Sequence, residues 1–366
     1  VGFERVRDAL ETMLSDDPAF SAQLSVIWRG ETVVDLAGGP DLDGDSVTGV
    51  FSASKGVAAT VIGLLLDRGL LELDRAVVDY WPEFGEAGKS EITVREVLSH
   101  RAGVVGVSDG FEPDDVVGRA AAAKIAASAP WWHPGSMHGY HALTIGVVME
   151  ELVRRVTPST LQEIYEDEIR APRSLDFYLG FPESAEVRFR PVLPPRADPA
   201  SDPGGADDLR SVAFNAKRSA SDPVAGALGP NDRRMRAAGF SSIDGIGSAR
   251  GLAGVYAALL EGPGRTPLLS RATIDEMSRE HSFGLDRILG VGNAFGIVFM
   301  KPQPALDFGS YRAYGHDGAG GVLAFADPMY DLAFAYIPMP MQVPGGAGPT
   351  GVRMSRLVRA AIRDLA

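Results

Sequence analysis

The sequence predicts an α+β fold: one antiparallel sheet built from both chain ends, flanked by the terminal helices, with a mostly helical domain inserted between its strands. Three observations predict it. Runs rich in β-branched and aromatic residues lie near the two ends, helical periodicities fill the middle, and both terminal segments are amphipathic. The sheet domain is expected over 1–60 and 270–366, and the helical domain over 61–269.

Taken in order, Val1 to Asp16 reads as an amphipathic helix with Phe3, Val6, Leu10, Met13 and Leu14 on one side. Ala22 to Trp28 and Thr32 to Leu36 are strand-like and joined by Arg29-Gly30-Glu31, a hairpin signal. A helix is expected from Lys55 to Arg68, with Val57, Val61, Ile62, Leu65 and Leu66 at helical spacing. Further helices are expected at Val94 to Ser99, Val116 to Ala127, Leu143 to Arg155 and Ser159 to Ile169. Residues 190–245 are dense in Pro, Gly, Asp and Ser and read as a long irregular stretch, of the kind that serves as a lid or a fixed wall. Ser248 is placed to cap a helix running to about Leu260. Val322 to Ala326 and Leu332 to Ile337 bracket a second hairpin, and an amphipathic helix closes the chain from about Val352 to Leu365.

Composition narrows the function. The 366 residues carry a formal charge of −13 and no basic run, which opposes binding to nucleic acid or anionic membrane. There is no cysteine, so thiol catalysis, disulfides and cysteine-ligated metals are excluded. The longest apolar stretch, Val57 to Leu66, is about half a membrane span. No signal-peptide pattern precedes the first helix, so a cytoplasmic protein, monomer or homodimer, is expected.

The chemistry concentrates in three places. Ser52-Ala53-Ser54-Lys55 opens an apolar helix, and a spacing of three puts Ser52 and Lys55 on one face. The helix N-terminus favours developing negative charge, and a buried Lys55 becomes a base at neutral pH. The plain alternative is a serine N-cap with a solvent-facing lysine. Tyr140 lies just ahead of a helix and after the Pro134-Gly135 turn, where its phenol can serve the Ser/Lys pair as a general base. A loop tyrosine packed under the helix is the alternative. His316-Asp317-Gly318-Ala319-Gly320-Gly321 leads into the C-terminal hairpin, and glycine there suggests close approach of another backbone or a ligand. The Ala319 N–H, with that of Ser52, is then placed to form an oxyanion hole. Trp131, Phe240 and Phe295 are candidates to line an acyl or alcohol pocket, and core packing explains each equally well.

Three motifs compete. Gly106-Val107-Ser108-Asp109-Gly110 fits a nucleophile elbow but lacks the flanking strand and helix. His133, His138 and His141 lack an acidic partner and a helical ligand spacing, and Asp41 to Asp45 has serine at both the glycine and the glutamate positions of a calcium loop. No metal or cofactor is therefore expected.

Together the pieces resemble the serine β-lactamase and penicillin-binding protein superfamily, and within it the class C β-lactamase-like family VIII carboxylesterases. The resemblance rests on Ser52-Ala53-Ser54-Lys55, Tyr140-His141-Ala142 and His316-Asp317-Gly318, in that order. It is extended by Val97-Leu98-Ser99-His100-Arg101-Ala102-Gly103 and Ser248-Ala249-Arg250-Gly251-Leu252-Ala253. It implies the β-lactamase/transpeptidase-like fold and an acyl-enzyme on Ser52, with Lys55 and Tyr140 sharing the acid and base roles. His316 and Gly318 would border the substrate. Two departures matter: Ala142 stands where such β-lactamases have asparagine, and His316-Asp317-Gly318 where they have Lys-Thr-Gly. The missing amide and lysine are groups expected to hold a β-lactam, so hydrolysis of small to medium esters is the preferred expectation. The alternatives are β-lactam, amide or peptide hydrolysis, or acyl transfer, at the same site, and a non-catalytic sensor.

Overall fold

A computed structural model describes residues 2–196, 209–216, 224, 226–343 and 345–365. Its strands are β1 Ser21–Trp28, β2 Glu31–Gly38, β3 Thr48–Gly49, β4 Phe177–Tyr178, β5 Ile246–Gly247, β6 Ser282–Leu285, β7 Gly292–Phe295, β8 Tyr314–Gly318, β9 Val322–Asp327 and β10 Leu332–Met339. The main sheet has the order β2-β1-β10-β9-β8 and is antiparallel throughout. The N-terminal strand β1 pairs along its whole length with β10, from Ser21 opposite Met339 to Trp28 opposite Leu332. Both chain ends thus build one sheet, as expected.

Side-chain alternation in β9 and β10 sets what packs on each face. Leu323, Phe325, Phe334 and Tyr336 point to one side, where they join Val6, Leu10, Val358 and Ile362 of the two terminal helices, α1 (Glu4–Asp16) and the C-terminal helix Gly348–Leu365. Ala324, Ala326, Ala333 and Ala335 point to the other side and join α2 (Ala53–Asp67) and the helix Ala249–Ala257. Alanine presents a shallow surface, so these helices lie close to the sheet. The helix Ala249–Ala257 therefore belongs with the sheet layer, although its sequence position falls in the expected helical insert. Its cap is the expected one: Ser248 Oγ accepts the Gly251 N–H at 3.1 Å.

The helix α2 is buried all round from Ala53 to Leu65, with the sheet on one flank and the helix Thr144–Val156 on another. Two helices read as continuous are divided. Pro113–Val117 and Ala120–Ala127 are separated at Gly118 and at Arg119, which takes a left-handed φ of 64°. Leu161–Ile164 continues into Tyr165–Arg170 as a wider, π-type turn. Within the irregular stretch, helices Leu209–Ala213 and Arg233–Ala238 form, while 197–208, 217–223 and 225 lie outside the described residues. The β3-β5-β4 sheet and the β6–β7 hairpin were not anticipated, being short and rich in glycine.

Candidate active site

The turn leading into α2 is tight. Phe51 adopts a left-handed φ of 47°, and Ser52 follows at the N-cap in a helical conformation. Neither Ser52 N–H nor Ala319 N–H is bonded to another protein group among the described residues, so both are free for an oxyanion. The two segments are pressed together at Gly318. A Cβ at that position would stand 2.1 Å from the Val50 carbonyl oxygen, so only glycine lets the end of β8 reach the Ser52 turn.

Lys55, one turn on, is fully buried. Its Nζ donates to Ser52 Oγ at 3.0 Å and to the Ser242 carbonyl at 2.8 Å. Burial disfavours the ammonium and brings its pKa down to about 7, against the opposing pull of Asp317 and Asp244. The Ser242 carbonyl comes from a segment fastened to the same turn twice more. Gly245 N–H donates to Ser54 Oγ at 2.8 Å, and Val50 N–H donates to the Gly245 carbonyl at 3.1 Å. Ser242 Oγ in turn donates to Leu143 O at 2.7 Å and accepts from Gly146 N–H at 2.9 Å, at the start of the helix that follows Tyr140.

Tyr140 completes the cluster. Lys55 Nζ lies 5.0 Å from its ring centroid, and the buried phenol oxygen faces Ser52, though without a hydrogen bond of regular geometry. Burial pushes the phenol well above its usual range, so it is neutral at rest; the nearness of Ser52 opposes this only in part. The ring stacks on Phe295 at 6.0 Å, 7° from parallel, and tilts against His100 at 5.3 Å and His316 at 6.0 Å. Its backbone N–H donates to Asp286 Oδ1 at 3.1 Å, on the loop joining β6 to β7. The Val97–Gly103 stretch carries the tyrosine loop: Gly139 N–H donates to His100 O at 3.0 Å and Gly135 N–H to Arg101 O at 3.1 Å.

His316 is buried beside this cluster. Its Nδ1 bonds the Asp317 carbonyl at 2.7 Å, which assigns the proton to Nδ1 and leaves Nε2 as an unpartnered acceptor. Burial, with Lys55 adding to it, lowers its pKa to about 3, so the ring is neutral at physiological pH.

The other pocket candidates are placed differently. Phe295 is fully buried and braces Tyr140. Phe240 lines a cavity of about 240 Å³ on the helical side, together with Val147, Glu150 and Leu161. Trp131 is 37% exposed, with its indole N–H on the Gly106 carbonyl at 3.0 Å. No ring contact joins Phe240 or Trp131 to Tyr140. Ser108 is exposed on a turn with neither strand nor helix beside it, so there is no nucleophile elbow. His141 is structural: Val104 N–H donates to its Nε2 at 3.1 Å, and its Nδ1 bonds the Gly139 carbonyl at 2.7 Å. No group of side chains among the described residues is arranged to hold a metal ion, and no helix is long and apolar enough to cross a membrane.

Sequence reasoning missed Ser242, Asp244, Asp286 and Phe214. Each acts through a long-range approach that no local spacing announces.

A hydroxyl, a desolvated amine and a neutral phenol, beside two free amides, form a set able to carry out acyl transfer. Known proteins resemble this chain over most of its length. The chain is 32% identical to the Esterase/beta-lactamase LipL of Mycobacterium tuberculosis over 320 residues, 85% of this chain and 73% of that protein. The solved structure of EstA from Arthrobacter nitroguajacolicus Rue61a matches with a TM-score of 0.91 at 48% identity, covering 100% of this chain and 98% of that one. That of a family VIII carboxylesterase matches with a TM-score of 0.88 at 33% identity, covering 98% and 97%. The Beta-lactamase family model matches residues 6–338, and with the fold and these relatives it shows that the chain belongs to the beta-lactamase family.

Proposed function

We propose that the protein is a serine carboxylesterase that hydrolyses small to medium carboxylic esters through an acyl-enzyme on Ser52, with Lys55 and Tyr140 as its acid–base pair. The observation that carries this reading is the buried Lys55 ammonium group, 3.0 Å from Ser52 Oγ and poised near neutrality. In its neutral form Lys55 takes the Ser52 proton as Oγ attacks the ester carbonyl. The N–H groups of Ser52 and Ala319 hold the oxyanion. Tyr140, neutral at rest, gives its proton to the departing alkoxide and recovers one from Lys55. Water then enters, loses a proton to the same pair and attacks the acyl carbon; the bond to Ser52 Oγ breaks, that proton passes to Oγ, and the acid leaves.

Esters suit the site better than β-lactams. His316 stands where a β-lactamase of this class presents a lysine, and a neutral ring offers no cation to an anionic substrate. Ala142 offers no amide. The name of LipL joins esterase to beta-lactamase, which makes β-lactam hydrolysis the second reading.

The test is intact mass after brief exposure to p-nitrophenyl butyrate, for the parent and for Ser52→Ala. An acyl adduct in the parent alone is expected; the same adduct on Ser52→Ala refutes the nucleophile. A chromogenic cephalosporin assayed in parallel separates the two readings: rapid turnover of it without turnover of the ester overturns the preference.

A further inference from the structure

One ring around Tyr140 is unlike the rest. His100, Phe295 and His316 are fully buried, whereas Phe214, with its centroid 6.2 Å from that of Tyr140 and tilted 44° to it, is 37% exposed. Phe214 is not loosely held. It follows the helix Leu209–Ala213, and its N–H donates to the Arg210 carbonyl at 3.0 Å. The next residue, Asn215, is buried in a left-handed conformation, φ 58°. Its side chain grips the Phe111 backbone on both sides: Oδ1 accepts the Phe111 N–H at 2.8 Å and Nδ2 donates to the Phe111 carbonyl at 2.9 Å. Gly106 admits this segment, since a Cβ there would stand 2.6 Å from the Val212 carbonyl oxygen. The Arg210 guanidinium lies 5.4 Å from the Phe214 ring centroid. An aromatic ring partly open to solvent is thereby fixed against the ring of Tyr140.

In the mechanism above, Tyr140 is the group that protonates the leaving oxygen, so the alcohol portion of the ester departs beside Tyr140. We propose that Phe214 is a specificity-determining residue that packs against this alcohol portion, and that the preferred substrates are esters of flat, apolar alcohols such as benzyl or aryl alcohols. Ring-on-ring packing there covers the exposed face of Phe214 and is felt only by the half of the substrate that leaves. The inference rests on the assignment of Ser52 and Tyr140 proposed above.

The experiment compares benzyl butyrate with methyl butyrate, whose leaving alcohols are of similar basicity. The parent should favour the benzyl ester in kcat/KM. Phe214→Ala should lose about tenfold on benzyl butyrate and less than about twofold on methyl butyrate. Phe214→Tyr should retain the preference. Phe214→Leu, which keeps apolar bulk without the flat face, should lose most of it and guards against a fold defect in the alanine variant. A series of methyl esters of increasing acyl length should be indifferent to all three changes. Equal losses on both butyrates, or losses that track acyl length, overturn the proposal. Labelling of Ser52 by a fluorophosphonate keeps the two readings apart. A labelled Phe214→Ala with unchanged selectivity sinks only the Phe214 inference, whereas a folded parent that resists labelling sinks the Ser52 reading and this one with it.

Discussion

If Lys55 is the base that starts the reaction, the rate must follow its neutral form. Burial brings its pKa to about 7. The neutral fraction is then about 3% at pH 5.5 and about 97% at pH 8.5, so kcat/KM for a neutral ester should rise about 30-fold between them and then level off. A lysine at its ordinary value would still be climbing roughly tenfold per pH unit at the upper end. Of the groups facing Lys55, burial holds His100, His316 and Tyr140 toward their neutral forms and pushes the Asp244 and Asp317 carboxyls up. Asp317 is the larger of the two carboxyls that favour the ammonium. Asp317→Asn should therefore move the acid limb to lower pH without removing it. The assay is the initial rate of p-nitrophenyl butyrate hydrolysis at low substrate, read where nitrophenol and nitrophenolate absorb equally. A limb above about pH 9, or one that ignores Asp317→Asn, refutes the assignment of Lys55.

The same residue predicts a stability effect of definite sign. A lysine with a lowered folded pKa makes the unfolded chain bind more protons between about pH 7 and 10.5, so stability rises with pH across that window. The ammonium's burial costs on the order of 5 kcal/mol at neutral pH by this linkage, and stranding the Ser242 carbonyl offsets part of it. Lys55→Met should abolish ester turnover while raising stability by about 2–4 kcal/mol near pH 7, with the gain fading toward pH 10. Denaturant titrations of parent and variant at both pH values check it; a variant less stable at pH 7 would show that the buried amine is no burden.

Three further changes are read from the same geometry. Gly318→Ala sets a methyl against the Val50 carbonyl and should cost about 1–3 kcal/mol and at least about 100-fold in kcat, because the Ala319 amide moves with β8; activity within twofold of the parent would deny the close approach. Tyr140→Phe should leave the fold intact and cut kcat by about 100- to 10,000-fold, and a loss no larger for an alkyl ester than for a nitrophenyl ester, which needs no acid, would remove Tyr140 as the proton donor. Asp244 is fully buried with neither carboxyl oxygen bonded. With its folded pKa raised, its favourable linkage is complete below the unfolded carboxylate pKa and is lost as pH rises, so Asp244→Asn should gain about 1–3 kcal/mol at pH 7 and little at pH 3.5; equal melting curves at both would contradict it.

What the sequence made legible was local. The hairpin at Arg29, the apolar helix behind Lys55 and the serine cap at Ser248 each follow from periodicity or capping within a few residues, and the structure has them. The candidates Ser52, Lys55 and Tyr140 stand out in the sequence because the first two share a helical face and the third stands before a helix. What stayed hidden depends on distance in the chain. Ser242 and Asp244 sit in an unremarkable Ser-Ser-Ile-Asp-Gly run, and nothing there tells that a carbonyl will meet a lysine 187 residues earlier. Phe240 was singled out for its aromaticity and lines a different cavity, while Phe214, one aromatic inside the stretch read as irregular, stands beside the Tyr140 ring. The helix at 116–127 fails at Gly118, a breaker visible in the sequence but outweighed there by the alanines that follow.

One sequence signal for the site lies outside it. In β9 and β10, alanine alternates with large residues, and the alanines face α2 while the large side chains face the terminal helices. A helix resting on alanine sits close to the sheet plane, so its first turn reaches the rim of β8 rather than standing above it. There Gly318 lets the strand meet Val50, and Gly56 on α2 lies where a Cβ would come 3.3 Å from that of His316. Small residues at 56, 318, 324 and 326 thus let the first turn of α2 and the end of β8 come together at Val50. The Ser-x-x-Lys motif at residues 52–55 is then only half of a statement. The other half is written 260 to 280 residues later, in residues whose chemical contribution is to take up no room.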